Sequence, residues 1–585
     1  MSFPKIKDRD FSKKINKIYH KYEISAKKKS FKEICYPKSF ELQKSQEFVS
    51  QYINPDTDYK SILLFHGIGS GKTCSAVRIG EEWRGIRKIV VVVPASLKGN
   101  FRNELRSECA NNNYLTSNER KRLKTLHPSE KEYAEILAKS DERINKYYTI
   151  YSYNNFVTLA ESGELDLRNS ILIIDEVQNM ISDIGKYYKV LYKTVHDAPA
   201  NLRIVLLSAT PMFDKPIEIA LTMNVLRIPI EFPTGNEFYK MFTNVIKNKD
   251  GTITYSAKNM DIFKERIKGY VSYFRGAPPY VFPEKIIKYV KCDMNEFQYR
   301  AYLTVMKKED TMNIFKRMKE KEKEKETYHM FKAGTIITLP NNFFIGTRII
   351  SNVAFPNKNI GKSGFDSFKN KYTKRELKTY SIKFYKILKK IKRANGPVFV
   401  YSNFKEYGGI RSLAKVLDDN GYKNYVQHGE GRKRYAIWSG DEKGSVREEI
   451  RNVYNMLQNK DGSQIKIILG SPAMSVGVSL YNVQQVHILD PTWNISKLDQ
   501  IIGRGVRFCS HKALPTEHRV VKVYIYMATH PNEPETVDQY MANLALQKNK
   551  VIKEFETALK EVAVDCKLFK NTNVYKGEEN FKCDV

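Results

Sequence analysis

Short apolar runs, each closed by polar or glycine-containing residues and followed by helical periodicity, recur in two parts of the chain. The first set is SILLF from Ser61, KIVVVVP from Lys88, YTIYSY from Tyr148, SILIID from Ser170 and LRIVLLSAT from Leu202. The second is PVFVYSNF from Pro397, NYVQHG from Asn424, IKIILGSPA from Ile465, QQVHILDP from Gln484 and RVVKVYIYMA from Arg519. Runs of four to eight residues rich in Ile and Val, apolar at successive positions rather than alternating, are buried on both faces and predict parallel strands. The segments between them, such as YGGIRSLAKVLDDNG with Leu413 and Leu417 four apart, predict amphipathic helices. The fold class expected is therefore α/β, with two tandem parallel-sheet domains. Ligands in such domains favour the carboxyl ends of the strands.

The boundaries that follow are a basic N-terminal arm over 1–39, a first α/β domain over 40–230, a helical lysine-rich insertion over 231–395, a second α/β domain over 396–545, and a C-terminal helix and tail over 546–585. Within the insertion the rhythm of apolar runs is lost. FKRMKEKEKEKETYHM predicts a charged helix or connector, and residues 361–395 hold ten lysines and two arginines against two acids. Phe365, Phe368, Tyr372, Tyr380, Phe384 and Tyr385 lie among those lysines. Two readings fit that mixture: phosphate contacts with stacked bases, or helices with aromatics packed inward and lysines facing water.

Charge narrows the partners. Lys and Arg number 98 against 65 Asp and Glu, a formal net charge of +33, which points to a polyanion and most naturally nucleic acid. The seven cysteines show no C-x-x-C pair and no regular grouping with histidine, so neither a zinc site nor a disulfide framework is expected, and a reducing compartment is. The first residues are charged throughout, unlike a signal peptide, and no window of 18 residues is apolar enough for a membrane span.

Candidate chemistry gathers at the strand ends. GSGKT follows the first apolar run: Gly67, Gly69, Ser70 and Gly71 would let successive amides face a phosphate, Lys72 would reach the β and γ phosphates, and the Thr73 hydroxyl is placed for Mg²⁺. His66 stands where the common pattern has glycine. SILIIDEVQ brings Asp175 to a strand end for Mg²⁺ and Glu176 beside it to accept a proton from the attacking water. Ser208, Ala209 and Thr210 end the next run, where hydrolysis would be sensed. QIIGRGVR supplies Gln500, Arg504 and Arg507, the two arginines three apart on one expected helical face, where a guanidinium would stabilise charge on the γ phosphate. Gly477, in SPAMSVGVSL, permits a tight loop near them.

These segments together resemble superfamily 2 helicases and translocases, in motif order. FELQKSQEF, with Gln46, is similar to the glutamine that contacts adenine. HGIGSGKT resembles motif I, VVVPASLKGNFRNEL motif Ia, YTIYSYNNF motif Ib, DEVQ motif II with Gln178, and SAT motif III. GPVFVYSNF, SPAMSVGVSL and QIIGRGVR resemble motifs IV, V and VI. Within that superfamily DEVQNMIS, VSYFRG and VHILDPTWNISKLDQIIGRGVRFCSH resemble the nucleoside triphosphatases of large cytoplasmic DNA viruses. The resemblance implies two RecA-like domains, ATP and Mg²⁺ as ligands, and DNA-dependent hydrolysis coupled to translocation. It also implies a role in early transcription beside viral RNA polymerase or transcription factors, in the virion and host cytoplasm. RNA as substrate and true duplex unwinding stay open. A monomer suffices, because one chain carries both sets of motifs.

Overall fold

The computed structural model describes residues 3–26, 28–127, 130–182, 185–247, 253–323, 343–474, 478–575, 578 and 580–584. The chain forms two compact units, one of residues 1–279 with 550–585, the other of residues 280–549. The division at 279 falls inside the span 231–395.

In the first unit five of the apolar runs form β1 (Ser61–His66), β2 (Lys88–Val93), β3 (Tyr148–Ser152), β4 (Ser170–Ile174) and β5 (Arg203–Ser208). An antiparallel pair follows, β6 (Thr243–Lys247) and β7 (Ile253–Ala257), then β8 (Val271–Phe274). The main sheet has the order β3-β2-β4-β5-β1-β8 with every pairing parallel. β1 is therefore flanked on both sides, with Leu63 opposite Leu206 and Val271. Ile62, Leu64, Val91, Ile173 and Val205 lie in one core beneath this sheet. Phe11 and Ile15 join that core from the helix Phe11–Ile18, whose lysines face outward, so the basic start of the chain is packed down. Val564, Leu568 and Phe569 join it from the C-terminal segment.

The second unit contains β9 (Glu284–Asp293), β10 (Val398–Tyr401), β11 (Lys423–Asn424), β12 (Arg434–Trp438), β13 (Ile467–Gly470), β14 (Gln485–Ile488) and β15 (Val520–Thr529), in the parallel order β11-β12-β13-β10-β14-β15-β9. Val398 and Val400 enter one core while Phe399 and Tyr401 enter the other, the alternation of a sheet covered on both faces. The α/β fold expected from the apolar runs is the fold observed.

Local expectations change at several points. NYVQHG gives only the short β11, and its Tyr425–His428 is a helical turn; the neighbouring strand is Arg434–Trp438, whose RYAIW carries a charge at its start. β8 and β9 complete the sheets from within the stretch that broke the rhythm. β9, EKIIKYVKCD, is an edge strand, and exposed lysines mask its run. In the run 361–395 the aromatics pack inward: Phe368 and Phe384 are in the core, with Phe365, Tyr372, Tyr380 and Tyr385 against it. Lys383 of the same run is fully buried, 2.6 Å from Asp538 and hydrogen-bonded to Asn352 and Leu489. The helix Glu296–Lys323 covers the start of the charged KEKEKE segment, and the rest lies outside the described residues.

The cysteine reading is corrected. Cys74 and Cys109 form one disulfide, Cα atoms 5.5 Å apart, and Cys566 and Cys583 another, at 5.7 Å. Partners separated by 35 and 17 residues leave no spacing motif, so pairing is set by the fold and cannot be read from the sequence. A reducing compartment therefore does not follow from the cysteine pattern. No helix among the described residues is long and apolar enough to cross a membrane.

Candidate active site

β1 ends at His66 and the chain turns through residues 67–71 into the helix Lys72–Trp83. Two glycines are required here. A Cβ on Gly67 would lie 2.0 Å from the Arg275 carbonyl oxygen, because the residues after β8 pack onto the loop. Gly71 has φ +69°, and its Cβ would meet the Gln46 amide at 2.4 Å. Gln46 supports the loop: its Nε2 donates to the carbonyls of Ser70 and Gly71 at 3.4 and 3.3 Å, and its Oε1 accepts from the Gln43 amide. Both ends of this side chain are thereby engaged by the protein.

Lys72 Nζ lies 3.1 Å from Glu176 Oε1, so the lysine of the loop meets the acid after β4. From there a hydrogen-bond chain crosses the strand ends. Gln178 Nε2 donates to Glu176 Oε2 at 2.7 Å, Ser208 Oγ donates to Gln178 Oε1 at 2.6 Å, and the Thr210 amide donates to Ser208 Oγ at 3.0 Å. Ala209 sits between the last two residues, half-buried. Sequence spacing could not show that Lys72, Glu176, Gln178, Ser208 and Thr210 form one connected line.

Asp175 is buried, its Oδ1 accepting the Glu176 amide at 2.9 Å. Burial, reinforced by the Glu176 charge and opposed by Lys72, raises its carboxyl to about 6. Glu176 itself adopts φ +51°, a left-handed conformation that a non-glycine residue holds at a cost of about 1–3 kcal/mol. Tyr153, which begins the helix Tyr153–Ser162 after β3, was not singled out from the sequence. Its hydroxyl donates to the carbonyls of Asp175 and Glu176 at 2.7 and 2.9 Å, bracing that turn. Its neighbours Asn154 and Asn155 are exposed, as are Ala95, Ser96, Gly99 and Asn100 beyond β2.

The loop has the donors a triphosphate needs. Ser70 Oγ and Thr210 Oγ1 are buried without a hydrogen-bond partner among the described residues, and the Lys72 ammonium is paired with Glu176. Buried unsatisfied hydroxyls are rare unless a ligand or water serves them, so these residues fit a bound phosphate. The acid pair Asp175 and Glu176, with the half-buried Thr73 hydroxyl on the adjoining helix, is a donor set of hard oxygens that suits Mg²⁺.

In the second unit the arginines do not share a helical face. The helix Ile495–Ile502 stops before Gly503, and Arg504 and Arg507 lie in the turns beyond it. Gly505 allows this turn to approach β14, since a Cβ there would lie 3.1 Å from Val486. Arg504, almost fully buried, donates to the carbonyls of Gln500 and Val478 at 3.0 and 3.2 Å, and Arg507 donates to Ser479 Oγ at 3.0 Å. Both guanidinium groups thus hold the segment that follows Gly477. Gly477 and Ser475 lie outside the described residues. Asn403, beyond β10, is locked by Asp490 at 2.6 Å and Lys497 at 2.7 Å.

Comparison with known proteins agrees with this geometry. Residues 16–336 match the SNF2-related domain and residues 382–509 the helicase conserved C-terminal domain. The chain is 50% identical, over all of its length and 99% of the relative's, to R563 of Acanthamoeba polyphaga mimivirus, whose name marks it as a proposed ATP-dependent RNA helicase. It is 29% identical to L377 of the same virus, similarly named, across 94% of this chain and 57% of that one. It is 25% identical to the termination factor NPH-I homolog of African swine fever virus, across 90% of this chain and 80% of that one. A phosphate loop tied to its acid pair, in a chain similar from end to end to viral helicases, is an ATP-hydrolysing machine, and the chain belongs to the superfamily 2 helicases with an SNF2-related ATPase domain.

Proposed function

We propose that this ATPase is driven by nucleic acid and couples hydrolysis to movement along DNA, in early transcription of a large DNA virus. The observation that carries the reading is the connected line from Lys72 through Glu176 and Gln178 to Ser208 and Thr210, together with Tyr153 on Asp175 and Glu176. A residue one position from exposed polar groups beyond β3 touches the backbone of the acid pair, so a strand gripped at Asn154 and Asn155 would alter the acids.

In this mechanism Gly67, Gly69, Ser70 and Gly71 cradle the phosphates and Lys72 leaves Glu176 for them. Glu176, released from the ammonium, accepts the proton of the attacking water. Bound at Thr73 and Asp175, Mg²⁺ would neutralise phosphate charge. Gln178, Ser208, Ala209 and Thr210 pass the change in phosphate occupancy onward. Gln500, Arg504 and Arg507 serve the charge that develops on the γ phosphate, and Gly477 shapes the segment that the two arginines hold. Gln46, which holds the loop from behind, contacts the adenine ring. The transcription role is supported by the NPH-I termination factor homolog, and it implies work beside a viral RNA polymerase or transcription factor, in the virion and host cytoplasm, by a monomer.

The names of the mimivirus relatives favour a second reading, unwinding of RNA. One experiment separates the two: ATPase rates with single-stranded DNA, duplex DNA and RNA in parallel, with a strand-displacement assay on each duplex. Stimulation by DNA without displacement supports the translocase. Stimulation by RNA with ATP-dependent displacement replaces it, and a rate indifferent to every polymer removes both.

A further inference from the structure

His66, at the position where the phosphate-loop pattern ordinarily has glycine, is fully buried. Its Nε2 lies 2.8 Å from Ser272 Oγ in β8, and its Nδ1 has no hydrogen-bond partner. The Ser272 hydroxyl donates in turn to Asp565 Oδ2, in the segment after the helix Val537–Glu561. Asp565 Oδ1 accepts the Tyr273 amide at 2.9 Å. All three side chains are wholly inside the first unit.

The segment bearing Asp565 closes the outer edge of β8. The Val564 amide donates to the Val271 carbonyl at 2.8 Å, Asn573 Nδ2 to the Tyr273 carbonyl at 3.1 Å, and the Arg275 amide to Asn573 Oδ1 at 2.8 Å. A covered edge alone would need only these bonds to the backbone of β8 and the residue after it. A carboxylate buried behind a serine that faces a buried histidine does more, because it fixes the direction of each proton. Above pH about 7, where Asp565 is ionised, Ser272 gives its one hydrogen to the carboxylate, so His66 Nε2 carries the ring proton and donates it to Ser272 Oγ. Nδ1 is then a bare acceptor at the last residue before the phosphate loop. Lys72 is close enough that its charge, after burial, helps keep the ring neutral.

We propose that Asp565 and Ser272 are positioning residues for ATP hydrolysis: a relay from the C-terminal segment that sets the tautomer of His66 and thereby the seat of the phosphate loop. This rests on the ATPase assignment and adds to it a dependence on Ser272, some 200 positions from the loop, and on Asp565, some 500 positions from it. Asp565→Asn is the informative variant. An asparagine still accepts from the Tyr273 amide but donates to Ser272 Oγ, which turns the serine proton toward His66 Nε2 and moves the ring proton to Nδ1. Every bond is kept and the polarity is reversed.

The test compares, at pH 8 where Asp565 is ionised, the full-length wild-type chain with Asp565→Asn, Ser272→Ala and Ser272→Thr, by steady-state ATPase and thermal melting. Asp565→Asn and Ser272→Ala should lower kcat about 10-fold at nearly unchanged KM, the cost of a displaced reacting group, while melting within a few degrees of wild type. Ser272→Thr, which retains the hydroxyl, should keep kcat. Wild-type kcat in both disabling variants, or a loss that Ser272→Thr shares with Ser272→Ala, would overturn the relay. Should either disabling variant melt early, the ring-nitrogen resonances of His66 in the wild-type chain at pH 8 decide, assigned by their loss in His66→Gln: a proton on Nε2 supports the relay and a proton on Nδ1 sinks it. The ATPase assignment stands or falls separately, on Lys72→Ala.

Discussion

Glu176 Oε1 sits 3.1 Å from the Lys72 ammonium, so the acid assigned to the attacking water and the lysine assigned to the phosphates hold each other. Both side chains are largely shielded from solvent, which makes the pair stronger than a surface ion pair and gives a phosphate a specific partner to displace. Replacing Glu176 by Gln removes the proton acceptor while keeping a group that Lys72 can bond. It should lower kcat by about 10²–10⁴ and leave nucleic-acid affinity unchanged. Turnover measured beside a binding titration checks it, and a parallel loss of affinity would mark Glu176 as structural.

Tyr153 offers a cleaner probe of coupling. Its hydroxyl donates to the carbonyls of Asp175 and Glu176 and also interacts with the Asn179 side chain, so Tyr153→Phe removes the brace on the acid turn while leaving the carboxylates in place. The expected result is an unstimulated ATPase near wild type with polymer stimulation reduced at least about 5-fold, the lower end of ordinary coupling energies. ATPase rates across a titration of single-stranded DNA provide the comparison. Full stimulation in the variant would show that the acid pair senses the strand by another route.

What was legible in the sequence follows from locality. The loop, Asp175 with Glu176, and Ser208 with Thr210 each sit at the end of an apolar run, and a strand end is a local property. The arginines were placed correctly in the chain and wrongly on a helix, because Gly503 and Gly505 end the helix one turn early and the requirement for glycine at 505 is a contact with Val486. His66 was visible as an oddity, but its partners, Ser272 and Asp565, are joined to it only by folding. The same holds for Cys74 with Cys109. Gln46 is legible by its place in the resemblance, and its bonds to Ser70 and Gly71, which no spacing shows, seat it against the loop.

Asp565 also carries a pH signature. Burial raises its carboxyl to about 7, so the folded protein binds this proton more tightly than the unfolded chain, whose aspartates titrate near about 4. Between those values the native state holds the extra proton, and this group's contribution to stability falls as pH rises, levelling off above about 7. Asp565→Asn cannot follow that slope. Relative to wild type it should gain a few degrees in melting temperature between pH 5 and 8, with little further gain above. A difference constant across the range would mean that the carboxyl is not held above its usual value.

The disulfide between Cys74 and Cys109 joins the first turn of the phosphate-loop helix to the turn after the helix Lys98–Leu105. Closing 35 residues corresponds to about 4 kcal/mol of restricted unfolded-state freedom in the chain-entropy account. Reduction should therefore lower the melting temperature of the first unit, and the double variant Cys74→Ser with Cys109→Ser should reproduce the loss and abolish the response of this pair to reductant. Melting with and without a phosphine reductant measures it. Identical curves for the oxidised and reduced chain would show that packing alone holds these helices together.

Binding to a nucleic-acid backbone has a salt signature that binding of ATP alone lacks. A chain of net charge +33 that tracks phosphates must release condensed counterions as it binds. If six to ten phosphates are neutralised, affinity should fall by about 10³–10⁵ between 50 and 200 mM salt, with a linear dependence on log salt. KM for ATP, set by a few buried groups around Lys72, should change far less, because buried pairs are screened little. Fluorescence anisotropy across a salt series, with KM measured at the same points, tests both halves. A flat binding curve would leave the strongly basic surface without a backbone to follow and would remove the physical ground for movement along a strand.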